Sequence, residues 1–448
     1  MIFIEIEVLA VGGYNEFGRN MTAVRCGKEI VIFDMGIRLD ALMMNPDVEM
    51  ENTHSLDLIS MGVIPDDTIM NSLEGSVKAI VLSHGHLDHI GAVPKLAHRY
   101  NAPIVGSPYT IELVRQQIES EKKFGVNNKL FSLKAGQRYA ISNALTLEFV
   151  ATQHSIIDTI TPVLHTPRGA IIYALDFKLD RTPVVGEPPD FARLQKIGKE
   201  GVLCLIAEVT NVRRSGRCPS EQIAKNMLQG VISSYEDEPN ALIISTFASH
   251  VARVKTIAEC VHSIGRKPIL LGRSMERFCA TAESMKYVRF PEGTSIFGNR
   301  RTVERTLRRV MKSKRDEYVP IVTGHQGEPG SILTRIAEKD TPYKIEKGDK
   351  VMISAQLIPN DMNRAQRYRM FSLLGAQGAR IFDELHVSGH AYCEDHYEML
   401  QMLKPTYVIA AHGGLDITSD YVNLAKDFGY MLNKDFFLMT NGQKQKLM

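Results

Sequence analysis

Hydrophobic positions along the chain fall into two patterns. The opening MIFIEIEVLAV alternates apolar and polar residues and predicts a strand. After it, short apolar runs each stop at a polar or charged residue. They are IVIFDMGI (30–37), KAIVLSHG (78–85), LTLEFVATQH (145–154), AIIYALDF (170–177) and VLCLIAEVT (202–210). These predict buried strands with functional side chains at their ends, as α/β folds arrange them. DHIGAVPKLAHRY, from Asp88, predicts a helix, and 41–67 reads as a surface loop with short helical pieces. Beyond 210 the pattern changes. ALIISTFAS (241–249) and KPILLGR (267–273) read as buried strands. SEQIAKNMLQGVISSY and SHVARVKTIAECVHSI carry apolar residues at helical spacing. This alternation predicts a parallel-sheet α/β unit. From 376 short strands return in ARIFDELHVSG, PTYVIAAHGG and FFLMTNGQ.

Composition adds limits. The 448 residues suggest two or three domains, and 44% hydrophobic with 23% charged residues excludes a disordered chain. The first residues lack the basic start of a signal peptide. No apolar run reaches membrane-spanning length, so no membrane partner is expected. Six scattered cysteines without a C-x-x-C pair fit a reducing cytoplasm. The net charge of +2 by itself argues against nucleic acid. Residues 251–320 change that picture, with 16 basic against 7 acidic residues, a local +9 against −7 elsewhere. Within them, 300–315 holds Arg300, Arg301, Arg305, Arg308, Arg309, Lys312, Lys314 and Arg315 against Glu304. Such a run is either a solvated helix face or a phosphate-contacting surface.

The strongest chemical signal is SHGHLDHI at 83–90, directly after an apolar strand. Its His84, His86, Asp88 and His89 are ligand types for Zn²⁺ or Mn²⁺. His154, Asp176 and His412 also follow strands. Each alone would read as a core or capping residue. Together with 84–89 they complete two ion sites. His84, His86 and His154 hold one, Asp88, His89 and His412 the other, and Asp176 bridges them. Two such ions, with Zn²⁺ expected ahead of Mn²⁺, suit in-line attack at phosphorus. Asp34, ending IVIFD, is expected to orient a ligand. In HVSGH (386–390), His386, Ser388 and the Gly389 N–H form a compact donor set suited to an anion. A tight turn is the competing reading. Ser249 and His250 are weaker candidates, with a helix N-cap as the alternative for Ser249.

In order, these residues resemble the metallo-β-lactamase superfamily motifs, with Asp34 at the first. The inserted α/β region and the later motifs narrow the resemblance to the β-CASP branch and the ribonuclease J family. It is carried by QHSIIDTITPVLHTPRGAIIYALDFKLD, the TFASH segment at 246–250, TGHQGEPGSILTRIA (323–337), HVSGHA (386–391) and KPTYVIAAHGG (404–414). The resemblance implies an αββα sandwich built from 1–209 and 376–448, with a β-CASP domain inserted at 210–375. It implies catalytic roles for Glu208 and His390, beside Asp88, and a third β-CASP position at His412. His at that position favours RNA. It further implies that 386–390, Val387 included, grips a 5′-monophosphate. Action as a 5′→3′ exoribonuclease on single-stranded RNA follows, with endonuclease activity beside it and a role in RNA maturation and decay. His390 would protonate the leaving 3′-oxygen, held by Glu208. The chain ends at 448 without the C-terminal domain of bacterial members, which resembles the archaeal branch; a homodimer is expected. Three alternatives compete: a thioester or lactam hydrolase, an endonuclease-only RNA 3′-end processing enzyme, and a non-catalytic RNA-binding subunit.

Overall fold

The computed structural model describes residues 4–45, 47–121, 124–313, 315–358 and 361–448. Lys314 therefore lies outside the described residues. Three sheets organise the chain. The first runs in the order β20 (Lys444–Leu447), β1 (Ile6–Gly12), β2 (Met21–Cys26), β3 (Glu29–Phe33), β4 (Ser76–Leu82), β5 (Ile104–Gly106), β6 (Leu130–Ser132). The second runs β19 (Phe436–Leu438), β18 (Tyr407–Ala411), β11 (Val202–Glu208), β10 (Gly169–Ala174), β9 (Ile160–Thr166), β8 (Thr146–Ala151), β7 (Arg138–Ala140). The third runs β14 (Ser295–Phe297), β13 (Lys267–Leu271), β15 (Tyr318–Val322), β12 (Leu242–Ser245), β16 (Lys350–Ile353), β17 (Arg380–Phe382), with every pairing parallel.

Strand alternation explains the layers. In β1, Ile6, Val8 and Ala10 enter the core between the first two sheets, while Leu9 and Val11 face helices on the other side. The inter-sheet core also takes Val31, Phe33, Phe149, Ile171, Tyr173 and Ile206, and Phe33 stacks on Tyr173 at 4.9 Å. Leu205, Ala207 and Val408 point instead to Leu194, Leu400 and Tyr421 of outer helices. The result is the expected αββα sandwich, whose first strand and last strand pair with each other. The third sheet splits in the same way. Leu242, Ile244 and Leu270 join Leu228, Val254 and Met275 and continue into the core of the sandwich. Ile243, Leu271 and Val351 pack on Leu307, Ile336 and Met370 on the opposite face. The inserted unit is pinned to the sandwich by the Tyr109 hydroxyl donating to Phe278 O (2.8 Å) and Arg277 donating to Leu113 O (2.8 Å).

Three sequence expectations need correction. DHIGAVPKLAHRY is not one helix. It breaks into Leu87–Ile90, Val93–Leu96 and a short 3₁₀ turn, with Pro94 starting the second piece. Arg380–Phe382 does not return to the sandwich. It extends the inserted sheet beside β16, so the inserted sheet runs past 376. The returning segment also carries helices Cys393–Leu403 and Leu415–Lys426, whose buried faces cover the second sheet. Residues 41–67 do contain two helical turns, but Ala41, Leu58, Val63 and Ile64 are core.

Candidate active site

The candidate residues converge because their strands run the same way. β3 and β4 are parallel, as are β10, β11 and β18. Their carboxyl ends open on one edge of the sandwich and release Asp34, Ser83–His84, Asp176, Glu208 and His412 there. Asp34, Asp176 and His412 all have left-handed backbones (φ 58°, 55° and 55°). Such conformations cost energy and persist where surroundings hold them, as at functional sites.

Among the described residues three groups of side chains share one carboxylate. His84, His86, His154 and Asp176 form one; Asp88, His89, His412 and Asp176 a second; Glu208 and His390 with Asp176 a smaller third. In each, the candidate ligand atoms lie within 4.8 Å of one another. Asp176 Oδ2 is 3.4 Å from His84 Nε2, 3.3 Å from His89 Nε2 and 3.3 Å from His154 Nε2. Its Oδ1 lies 3.5 Å from His412 Nε2 and is buried without a hydrogen-bond partner. A buried, unpartnered carboxylate oxygen ringed by imidazoles fits a divalent cation centre.

Outer contacts aim the imidazoles. Asp34 Oδ2 bonds His89 Nδ1 (2.7 Å), and its two oxygens accept from the Ser83 N–H and hydroxyl, each at 2.8 Å. His154 Nδ1 donates to Gly389 O (2.7 Å), leaving Nε2 for the centre. Asn20 Oδ1 accepts from His412 Nδ1 (2.9 Å) while its Nδ2 donates to Asp88 O (3.0 Å). His86 Nε2 pairs with Ser249 Oγ (3.2 Å), so the inserted unit touches the centre directly. Gly36 is required here, since a Cβ would fall 1.5 Å from Asp88 O.

Electrostatics follow. Burial, then neighbouring imidazoles, keep His84 and His86 neutral, and burial pushes His154 down to about 4. Neutral imidazole is the form that binds metal. Burial opposes ionisation of Asp176, but the surrounding imidazoles hold its carboxyl well below the usual range. For Asp34→Ala we expect a 10–100-fold loss of metal affinity, typical of removing a ligand's orienting partner. Competition with a chelating dye would measure it, and unchanged affinity would contradict this role for Asp34.

Beside the centre, Glu208 is fully buried, accepts from Phe177 N (3.2 Å) and pairs with His390 Nδ1 (2.8 Å). It is not a surface ion pair. Burial disfavours the charged form of His390, but Glu208 and Asp176 prevail and raise it to about 9. Ser388 Oγ accepts from Asn211 Nδ2 (2.9 Å) and His390 N (3.1 Å), so the turn-capping reading holds for its lone pairs; its hydroxyl proton remains to donate. Gly389 packs where a Cβ would lie 2.9 Å from Ser155 N. Val387 can offer only its backbone, because its side chain is core. His250 is buried behind this segment, 3.5 Å from Glu221.

Sequence reasoning missed three residues. Asn20 precedes a strand rather than ending one, so no pattern marks it. Arg253 and Glu221 read as ordinary helix positions. Arg253 is fully buried, pairs with Glu221 (2.8 Å between Nη2 and Oε2) and points Nη1 at Ser354 Oγ (2.9 Å) and His386 Nδ1 (3.3 Å). Burial, with Arg253 beside it, holds His386 neutral, down to about 2. Arginine can only donate, so His386 accepts at Nδ1 and carries its proton on Nε2.

Comparison with known proteins gives the family. Residues 239–368 match the model for the ribonuclease J β-CASP domain. Residues 70–141 match the metallo-β-lactamase superfamily, and 378–434 the Zn-dependent metallo-hydrolase RNA specificity domain. A ribonuclease J of Methanocaldococcus jannaschii is 51% identical over 98% of both chains. The chain belongs to the ribonuclease J family. The family's Pyrococcus abyssi member is 44% identical over 98% of this chain and 96% of its own. Ribonuclease J 1 of Streptococcus pyogenes is 31% identical over 98% of this chain and 74% of its own. A solved Enterococcus faecalis protein of unknown function shares the fold, with a TM-score of 0.64 at 17% identity over 99% of this chain and 100% of its own. Family membership makes the chain a metal-dependent ribonuclease, a hydrolase that acts on RNA. None of its described helices is long and apolar enough to cross a membrane.

Proposed function

We propose that the chain is a 5′→3′ exoribonuclease that engages 5′-monophosphorylated single-stranded RNA. The observation that carries this reading is the adjacency of two donor sets. The 386–390 segment touches the His/Asp centre directly, through Gly389 O on His154. A terminal phosphate held at one would therefore set a short, fixed reach to the other.

His84, His86 and His154 would hold one divalent cation, and Asp88, His89 and His412 a second, with Asp176 between them. Zn²⁺ suits this donor set best, and Mn²⁺ is the second choice. Bound there, the cations supply an activated water and neutralise charge on the scissile phosphate. The chain's own side chains do the rest. His390, held by Glu208, donates a proton to the leaving 3′-oxygen. Neutral His386 offers Nε2–H, Ser388 its hydroxyl and Gly389 its N–H to the terminal phosphate. Ser249 holds His86 from the inserted unit. Internal cleavage at the same centre accompanies this activity. A homodimer and a cytoplasmic site of action complete the reading, with RNA maturation and decay as its role.

Initial rates on RNAs differing only at the 5′ end test it. We expect the monophosphate to be cut fastest, ahead of hydroxyl and triphosphate. In His386→Ala that preference should collapse while internal cleavage persists. Equal rates on all three ends in the wild type would refute end recognition.

A further inference from the structure

The basic run at 300–315 forms helix Arg300–Lys312, and its position was not foreseeable from sequence. The inserted sheet has helices on both faces. Glu221–Ser233, Val251–Ser263 and Arg273–Ser284 lie on the face that continues into the sandwich core. Arg300–Lys312, Ile332–Ala337 and Asp361–Ala376 lie on the opposite face. The strongest concentration of positive charge therefore lies on the face of the inserted sheet opposite the one that continues into the sandwich.

The helix is built at odds with its own electrostatics. Val303, Leu307 and Val310 anchor one side, and Arg300, Arg301, Arg305, Arg308, Arg309 and Lys312 are exposed on the other. Arg301, Arg305 and Arg309 repeat at four-residue steps, where like charges repel. Arg300 and Arg301 occupy the first turn, which has no acidic residue, at the positive end of the helix dipole. Glu304 is its one carboxylate, already shared among Arg300, Arg308 and Arg335. Arg301, Arg305, Arg309 and Lys312 have no carboxylate partner among the described residues. A helix face that needed only solvation would mix signs. On the neighbouring helix Arg364 and Arg369 are also exposed but paired with Asp361 and Glu338, so the unpaired cations are concentrated on Arg300–Lys312.

We propose that this outer face is a second RNA-binding surface, separate from the catalytic cleft, that holds the phosphate backbone of substrate beyond the segment being cut. Arginine predominates, and its planar fork suits phosphate. The proposal rests on RNA being the substrate but not on 5′-end recognition, and the salt dependence of binding is read without turnover.

The test compares wild type with Arg305→Ala/Arg309→Ala/Lys312→Ala on a trinucleotide and on a long single-stranded RNA. For the long RNA we expect KM to rise with kcat unchanged. Its salt dependence of binding should weaken by about two in log–log slope, from roughly 0.7 per lost phosphate contact. Trinucleotide cleavage should stay as in wild type. Arg305→Glu, four residues from both Arg301 and Arg309, should raise the melting temperature while weakening long-RNA binding. Unchanged long-RNA binding and slope would overturn the proposal. So would equal losses on both substrates, which would put these cations in the cleft. Loss of poly-glutamate binding with RNA binding intact would also overturn it, in favour of an acidic polypeptide.

Discussion

Asp176→Asn should abolish RNA cleavage and leave the fold intact. The residue is 2% exposed, and its two oxygens face His84, His89 and His154 on one side and His412 on the other. Asparagine keeps the shape but offers one neutral oxygen to both groups. The imidazole sets then lose the negative charge that makes them a joint cation site. Removing a ligand's orienting partner alone costs roughly 10–100-fold. Asp176 is itself a candidate ligand in both groups, so a loss well beyond that range is expected. Metal content and kcat should fall together. A variant that keeps its full metal complement and a normal rate would show that Asp176 is not shared.

His390→Ala should slow cleavage by roughly 10²–10⁴, the range for losing a positioned acid, with metal content unchanged. Glu208→Gln should slow it less and change the pH profile. Burial disfavours imidazolium at His390, and the carboxylates of Glu208 and Asp176 outweigh burial. His390 therefore keeps its proton until pH rises through its raised pKa. Without the Glu208 charge that pKa falls, and the acid is lost at lower pH. The alkaline limb of kcat should move down in Glu208→Gln relative to wild type. An unmoved limb in Glu208→Gln, with His390→Ala still slow, would assign the proton to another group.

Much of this was legible in the chain. Strand ends marked by a polar residue after an apolar run led to Asp34, His84, Asp176 and His412, because a parallel sheet releases such residues at one edge; Glu208 came from the family resemblance. The short motif at 83–90 carried four of the converging side chains itself. What stayed hidden depends on long-range packing. Asn20 reaches His412 across 392 residues of sequence. Arg253 reaches His386 from a helix whose periodicity says only which side is apolar. Arg380–Phe382 is too short to declare its sheet, and pairing with β16 decides it. Charge counting found the basic run but could not say which face of the inserted sheet would carry it.

The most direct measurement follows a single-stranded RNA labelled at its 5′ end and, separately, at its 3′ end, with a 5′-monophosphate. Wild type should release labelled mononucleotide from the 5′-labelled RNA at the earliest times, while the 3′-labelled RNA shortens progressively. Early label release from the 3′ end, or only internal fragments from both RNAs, would contradict 5′→3′ hydrolysis at this centre.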